Sequence, residues 1–151
     1  MLTELCGELN NYFDRDMPFY TGDIAIEDGF IQAGTLAQIV KVGQYYRIIG
    51  SVFNDGVHKY TGEADEGLID ESFVGSVRLM AVPKEFIELA EEIKDWQDKF
   101  GAQVSSPFAS ESLSASSYSY SKASISADGT GSITWQGVFA NKMSRWRKLR
   151  P

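Results

Sequence analysis

The stretch QIVKVGQYYRIIGSVFNDGVHKYTG, Gln38 to Gly62, decides the fold. β-Branched and aromatic residues stand on both sides of Asn54-Asp55-Gly56, the strongest turn signal in the chain. Asn, Asp and Gly accept the positive φ of a reversing backbone at least cost, so the spacing predicts two strands joined as a hairpin. Upstream, DIAIEDGFIQAG (Asp23 to Gly34) alternates Ile24 and Ile26, passes through Asp28-Gly29 and resumes with Phe30 and Ile31, predicting a second hairpin with a two-residue turn. Downstream, SFVGSVRLMAV (Ser72 to Val82) reads as one further strand, with Gly75 marking a bulge or a close backbone approach. Asp23 to Val82 therefore predicts a small antiparallel sheet or partial barrel of four or five strands.

Helical periodicity flanks this region. Leu2, Leu5, Cys6, Leu9, Tyr12 and Phe13 fall on one stripe, predicting a helix from about Leu2 to Asp14 that Pro18 and Gly22 bring to an end. Pro83 suits a first turn, and Phe86, Leu89, Ala90, Ile93, Trp96 and Phe100 mark the apolar stripe of a helix closing at Gly101. Glu85, Glu88, Glu91, Glu92, Asp95 and Asp98 form its solvated face, with Lys94 and Lys99 for local pairing. A last helix is expected from an N-cap at Ser132 through ITWQGVFANKMSRWRKLR. The predicted class is α+β: an N-terminal helix, a small antiparallel sheet or partial barrel, an amphipathic helix, a Ser/Tyr-rich hairpin and a basic C-terminal helix.

That hairpin is SESLSASSYSYSK, Ser110 to Lys122, with seven serines and two tyrosines. SYSYS alternates as a strand does, so a ribbon from Ser110 to Ser126 turning near Ser114 to Ser117 has one aromatic and one polar face. An isolated ribbon of this kind is marginal in water, and the expectation is that contacts outside its own chain order it. The organisation read from sequence is a core over residues 1–103, an arm over 104–131 and a basic helix and tail over 132–151.

With 151 residues and 43% hydrophobic content, the chain is long enough to bury a core without staples. Its lone Cys6 has no intrachain partner, lies in the first apolar stripe and reads as a small core residue. No apolar run reaches the roughly 20 residues of a membrane span, and MLTELCGELNNYF has no basic region of a signal peptide, so neither export by that route nor membrane embedding is expected. Net charge is −7, yet residues 141–151 carry Lys142, Arg145, Arg147, Lys148 and Arg150 without an acid; removing that +5 leaves the rest at −12. The acidic body repels DNA, and the basic end suits an acidic partner or phosphates. Cations complement a helix C-terminus, but five exceed that need. Trp135 and Phe139 are expected to pack in a core, and Trp146, among four cations, to face an interface.

Catalytic chemistry finds little to work with. One Cys and one His, His58, leave zinc ligation and Cys/His or Ser/His catalysis without their parts, and His58 reads as an exposed strand residue. EADEGLIDE supplies Glu63, Asp65, Glu66, Asp70 and Glu71 but lacks calcium-loop spacing, so a solvated acidic loop is expected. DGTGSIT is no phosphate loop. The reading is a non-enzyme with no cofactor, no metal and no catalytic residue.

GQYYRIIGSVFNDGVHKY, DESFVGSVRLMAVP, a helix bearing Trp96, SPFASESLSASSYSYSK and WQGVFANKMSRWRKLRP together resemble the head-tail connector, or head completion adaptor, proteins of tailed phages and prophages of Gram-positive bacteria. Ser110, Glu111, Ser112, Leu113, Tyr118, Ser119, Tyr120 and Ser121 follow the family's Ser-Glu-Xaa-apolar-Gly-Asp-Tyr-Ser-Tyr-Ser form, with Ser114 to Ser117 replacing Gly-Asp. The best-known members are helical where Asp23 to Val82 reads as β. The resemblance implies a virion structural protein of the neck, assembled in the host cytoplasm as a ring of about a dozen copies below the portal. It implies a portal interface made by Trp135, Phe139, Lys142, Arg145, Trp146, Arg147, Lys148 and Arg150, and inter-subunit contacts by Ser110, Glu111, Leu113, Tyr118 and Tyr120. The partners implied are the portal, a stopper or tail protein and other copies of the chain, with DNA passing through the channel without specific binding and no membrane. A stopper or tail terminator shares most of these features. A β-rich carbohydrate-binding module, stacking sugars on Tyr45, Tyr46 and Tyr60, is the reading from a different class.

Overall fold

The computed structural model describes residues 1–65, 67–100, 110–112, 119–121 and 134–148. The fold is α+β, built on a five-stranded antiparallel half-barrel. The chain divides into two compact units, Leu2–Ile87 with Lys148–Pro151, and Met1 with Glu88–Arg147.

The first unit holds the sheet. Its strands are β1 (Phe19–Glu27), β2 (Phe30–Gln32), β3 (Tyr45–Ile49), β4 (Gly56–Lys59) and β5 (Glu71–Met80), ordered β2-β1-β5-β3-β4. The β1–β2 hairpin closes through Asp28 (φ 50°) and Gly29 (φ 74°), two successive positive-φ residues as the Asp-Gly pair predicts. Gly29 has a second use: the Asp65 amide donates to its carbonyl at 2.9 Å, and a Cβ there would stand 2.8 Å from the Asp65 oxygen. Gly75, paired with Gly22 in mid-sheet, lies so close to the Ile49 carbonyl that a side chain would collide with it. This is a close approach of backbones.

Alternation puts Ile24 and Ile26 of β1, Tyr46 and Ile48 of β3, and Val77 and Leu79 of β5 on the inner face, all nearly sealed from solvent. Ala33, Leu36 and Leu68 complete this core. Each fully buried aliphatic contributes roughly 1.5–3 kcal/mol of transfer free energy. One turn of helix, α2 (Leu36–Ile39), interrupts the expected run of extended structure and brings Leu36 inward. On the outer face Arg47 and Arg78 are direct cross-strand neighbours, a repulsive pairing. Each finds its own ring: Arg47 lies 3.4 Å from the Tyr12 centroid and Arg78 4.8 Å from that of Phe19, while Asp14 stands 3.9 Å from Arg47.

The first helix, α1 (Leu2–Glu8), is shorter than its apolar stripe. Asn10 turns left-handed (φ 50°), and two bonds, Asn10 N–H to the Gly7 carbonyl and Asn11 N–H to the Cys6 carbonyl, close a Schellman cap. Leu5, Cys6 and Leu9 are fully buried as the stripe requires. Tyr12 and Phe13 leave the helix, Tyr12 for Arg47 and Phe13 for an edge-on contact with Phe86 at 4.7 Å. Thr3 Oγ1 ties α1 to the sheet by accepting the Val57 amide at 3.0 Å.

Helix α3 (Lys84–Phe100) runs from the first unit into the second. The Pro83 carbonyl accepts the amides of Phe86 and Ile87, so Pro83 sits at the helix boundary. The whole predicted stripe, Phe86, Leu89, Ala90, Ile93, Trp96 and Phe100, is buried. Gly101, its expected stop, lies outside the described residues, as does Ser132.

In the second unit the expected long C-terminal helix is two single turns, α4 (Trp135–Val138) and α5 (Ala140–Ser144). Thr134, extended at φ −108°, is the N-cap, its hydroxyl accepting the Gly137 amide at 3.4 Å. Gly137 and the β-branched Val138 weaken the helix, and Phe139 breaks it at φ −99°, ψ 8°. Phe139 and Met143 nonetheless share a side and are almost fully buried. Ser110–Ser112 (β6) and Ser119–Ser121 (β7) pair antiparallel as a separate two-stranded sheet, with Ser110 opposite Ser121 and Glu111 opposite Tyr120. The predicted ribbon is described only in these paired strands; its expected turn near Ser114 to Ser117 and its stretch from Lys122 to Ser126 lie outside the described residues.

Candidate interaction site

Among the described residues, the β3–β4 connection sets two exposed large apolar residues next to each other in sequence. Val52 is 80% exposed and Phe53 64%, and Ile69, whose backbone pairs with the neighbouring Asn54, is 54% exposed. Isolated exposed apolar residues are ordinary, but adjacent ones on a loop tip expose a contiguous patch to water.

The tip is held in place from beneath. The Glu71 carboxylate, at the start of β5, accepts from the Ser51 hydroxyl, the Val52 amide (2.9 Å), the Asn54 side-chain amide (3.0 Å) and the Phe53 amide (3.4 Å). These bonds, that of Ser51 first, hold the Glu71 carboxyl below the usual glutamate range against partial desolvation. Asn54, buried, pairs with the backbone of Ile69 in both directions: its Nδ2 donates to the Ile69 carbonyl at 2.9 Å and its Oδ1 accepts the Ile69 amide at 2.8 Å. Asp55 Oδ1 accepts the Ser51 amide at 2.8 Å, and Ser51 Oγ accepts the Asn54 amide at 2.6 Å. The turn chemistry thus differs from the expected one. Positive φ falls on Gly50 and Gly56, while Asn54 and Asp55 use their side chains as brackets.

Two sequence expectations are corrected here. His58 is half-buried: its ring stacks on Tyr46 at 5.6 Å, and Nε2–H donates to the Asn54 carbonyl at 2.8 Å. The acidic stretch is not merely solvated, because Glu71 organises the loop and Asp65 both binds Gly29 and accepts the Gly67 amide. Glu66 lies outside the described residues. Tyr46 is 3% exposed, which removes the middle ring from the supposed sugar-stacking surface of Tyr45, Tyr46 and Tyr60.

The residues expected at a portal interface divide by burial. Phe139 is 1% exposed and meets Trp96 edge-on at 6.3 Å, so it anchors the segment to α3 and is not available on the surface of the chain. Lys142 is bonded to Glu92 of α3 at 2.5 Å. Trp135 and Trp146 are half-buried, and Arg145, stacked 4.6 Å over Trp146, is exposed together with Arg147. The Lys148 side chain is exposed, while its amide donates to the Leu9 carbonyl at 2.9 Å. The segment over 134–148 therefore draws order from contacts within its own chain. Arg150, Leu113 and Tyr118 lie outside the described residues; Ser110, Glu111 and Tyr120 fall in the paired strands β6 and β7.

Cys6 does not offer a thiolate at neutral pH, since burial pushes its thiol up to about 12. Among the described residues no group of three His, Cys, Asp or Glu side chains is placed to hold a metal ion, and no helix is long and apolar enough to cross a membrane.

These features define an α+β protein with a half-barrel sheet, a separate two-stranded ribbon and a pinned apolar loop. Comparison with protein-family models, with curated proteins and with solved structures finds no match.

Proposed function

We propose that the protein is a structural component of the tailed-phage neck, an adaptor ring that joins the portal to the stopper or tail and prolongs the DNA channel. The observation that carries this reading is the ribbon of β6 and β7, which lies in the segment matching the family's Ser-Tyr form and pairs as a sheet of its own. A two-stranded ribbon is marginal alone and gains stability when a neighbouring copy adds a strand to its edge. Arg145 and Arg147, exposed near Trp146, suit docking on an acidic portal surface. The remaining acidic body, at −12 over residues 1–140, keeps passing DNA from adhering.

Electron microscopy of the full chain mixed with its cognate portal tests this reading. Ring density on the portal's tail-proximal face supports it; bare portals, or density only at a tail-tube end, refute it. Truncation at residue 141 is not a clean companion experiment, because it removes Met143, which is 2% exposed. The pair Arg145→Glu and Arg147→Glu, both exposed, tests portal docking with the core left in place.

A further inference from the structure

We propose that the Val52–Phe53 tip is a prong that docks on the cationic stretch around Trp146 of a second copy of the chain. This inference rests on the ring-assembly reading and names one contact within it.

Several observations point to a docking element. The tip exposes Val52 and Phe53, and Ile69, whose backbone Asn54 brackets, is exposed as well; removing such apolar surface from water is favourable. Its backbone is already pinned by Glu71, Ser51, Asn54 and Asp55, so little conformational entropy is lost on docking. A loop shaped only for turning the chain has no need to be both apolar at its tip and bracketed beneath.

Charge selects the occupant. Asp55, two residues past Phe53, and Asp70, next to the Glu71 whose carboxylate binds the loop, are both exposed. The same patch of another copy would set carboxylates against carboxylates, which disfavours a two-fold contact. The stretch from Lys142 to Arg147 carries three cations and no acid; with Lys142 bonded to Glu92, Arg145 and Arg147 remain exposed, and there the half-buried Trp146 indole lies under Arg145. It offers an aromatic surface with a cationic rim, complementary to an aromatic prong with an anionic one. A contact between two different patches is heterologous, and repeated from copy to copy it builds a ring or an open chain.

Sedimentation velocity on the full chain, at low and high salt, reads the association. Phe53→Asp is expected to weaken it by about tenfold or more, as loss of an interface anchor does, with an unchanged melting temperature because Phe53 is largely exposed. Asp70→Arg and Arg145→Glu should each weaken association, and their combination should restore it. A photoreactive p-benzoylphenylalanine in place of Phe53 should cross-link to a peptide within residues 134–148 of another copy. A chain that stays monomeric at every concentration, a Phe53→Asp variant that associates as the parent does, a failed charge swap, or a cross-link mapping elsewhere overturns the inference. The neck reading stands or falls separately: bare portals refute it even if Phe53→Asp abolishes self-association, and portal rings unaffected by Phe53→Asp refute only the prong.

Discussion

Replacing Asn54 with alanine tests the bracket on which the loop depends. Asn54 is 2% exposed, and its side chain exchanges two hydrogen bonds with the Ile69 backbone, at 2.9 and 2.8 Å. Each such bond is worth about 1 kcal/mol net, and stranding the Ile69 amide and carbonyl adds about 1–3 kcal/mol where water cannot reach them. Ile69 is 54% exposed, so water recovers part of that cost and places the sum near the lower end, about 2–3 kcal/mol. For a chain of this length that corresponds to a fall in Tm of about 5–10 °C. Urea unfolding and thermal melts followed by circular dichroism read both numbers, with Asp70→Asn as an exposed control expected to change neither. Asn54→Asp keeps the acceptor for the Ile69 amide but loses both donors and sets a second carboxylate beside Glu71, so its defect should be larger at neutral than at acid pH. A loss below about 0.5 kcal/mol for Asn54→Ala would refute the reasoning, because it would mean that water replaces the bracket at no cost.

Three further outcomes are expected. Because hydrogen bonds hold the Glu71 carboxyl below its ordinary range, the loop's support is complete above the unfolded glutamate pKa of about 4.3 and is lost as pH falls through the lower folded value. Amide exchange at Val52 and Phe53 should lose protection on acidification, and Glu71→Gln should flatten that dependence; equal pH profiles for the two proteins would contradict the clamp. Gly75→Ala should cost about 1–3 kcal/mol in urea unfolding, since the new methyl meets the Ile49 carbonyl while β3 and β5 are locked in register; an unchanged midpoint would mean the backbones are free to separate. Lys142→Ala should change stability by no more than about 0.5–1 kcal/mol despite the close Glu92 contact, as both side chains are substantially exposed; a loss of several kcal/mol would show that the pair does more than tack the segment to α3.

Local pattern made much of the fold legible. Asp28-Gly29 announces its hairpin because two positive-φ residues in sequence have few other uses, and the stripe from Phe86 to Phe100 announces α3 because its consistent helical spacing leaves no alternative face to bury. The same kind of pattern overstates α1: Tyr12 and Phe13 continue the stripe, but Asn10 adopts a left-handed turn and sends them to Arg47 and Phe86. The C-terminal stretch reads as one long helix for a similar reason, since Phe139 and Met143 keep helical spacing across a break at Phe139.

The loop could not be read this way. Ser51-Val52-Phe53 looks like the end of a strand, and nothing within it indicates that Val52 and Phe53 face water. That depends on Glu71, seventeen residues beyond Asn54 and brought beside the loop by the pairing of β3 with β5. Sequence alone determined which segments extend and which coil, through backbone preferences and the spacing of apolar side chains along a few turns. Tertiary structure alone decided which carboxylate brackets which loop, and which apolar residues stay exposed, because hydrogen bonds between distant segments exist only once sheet register has brought their partners within reach.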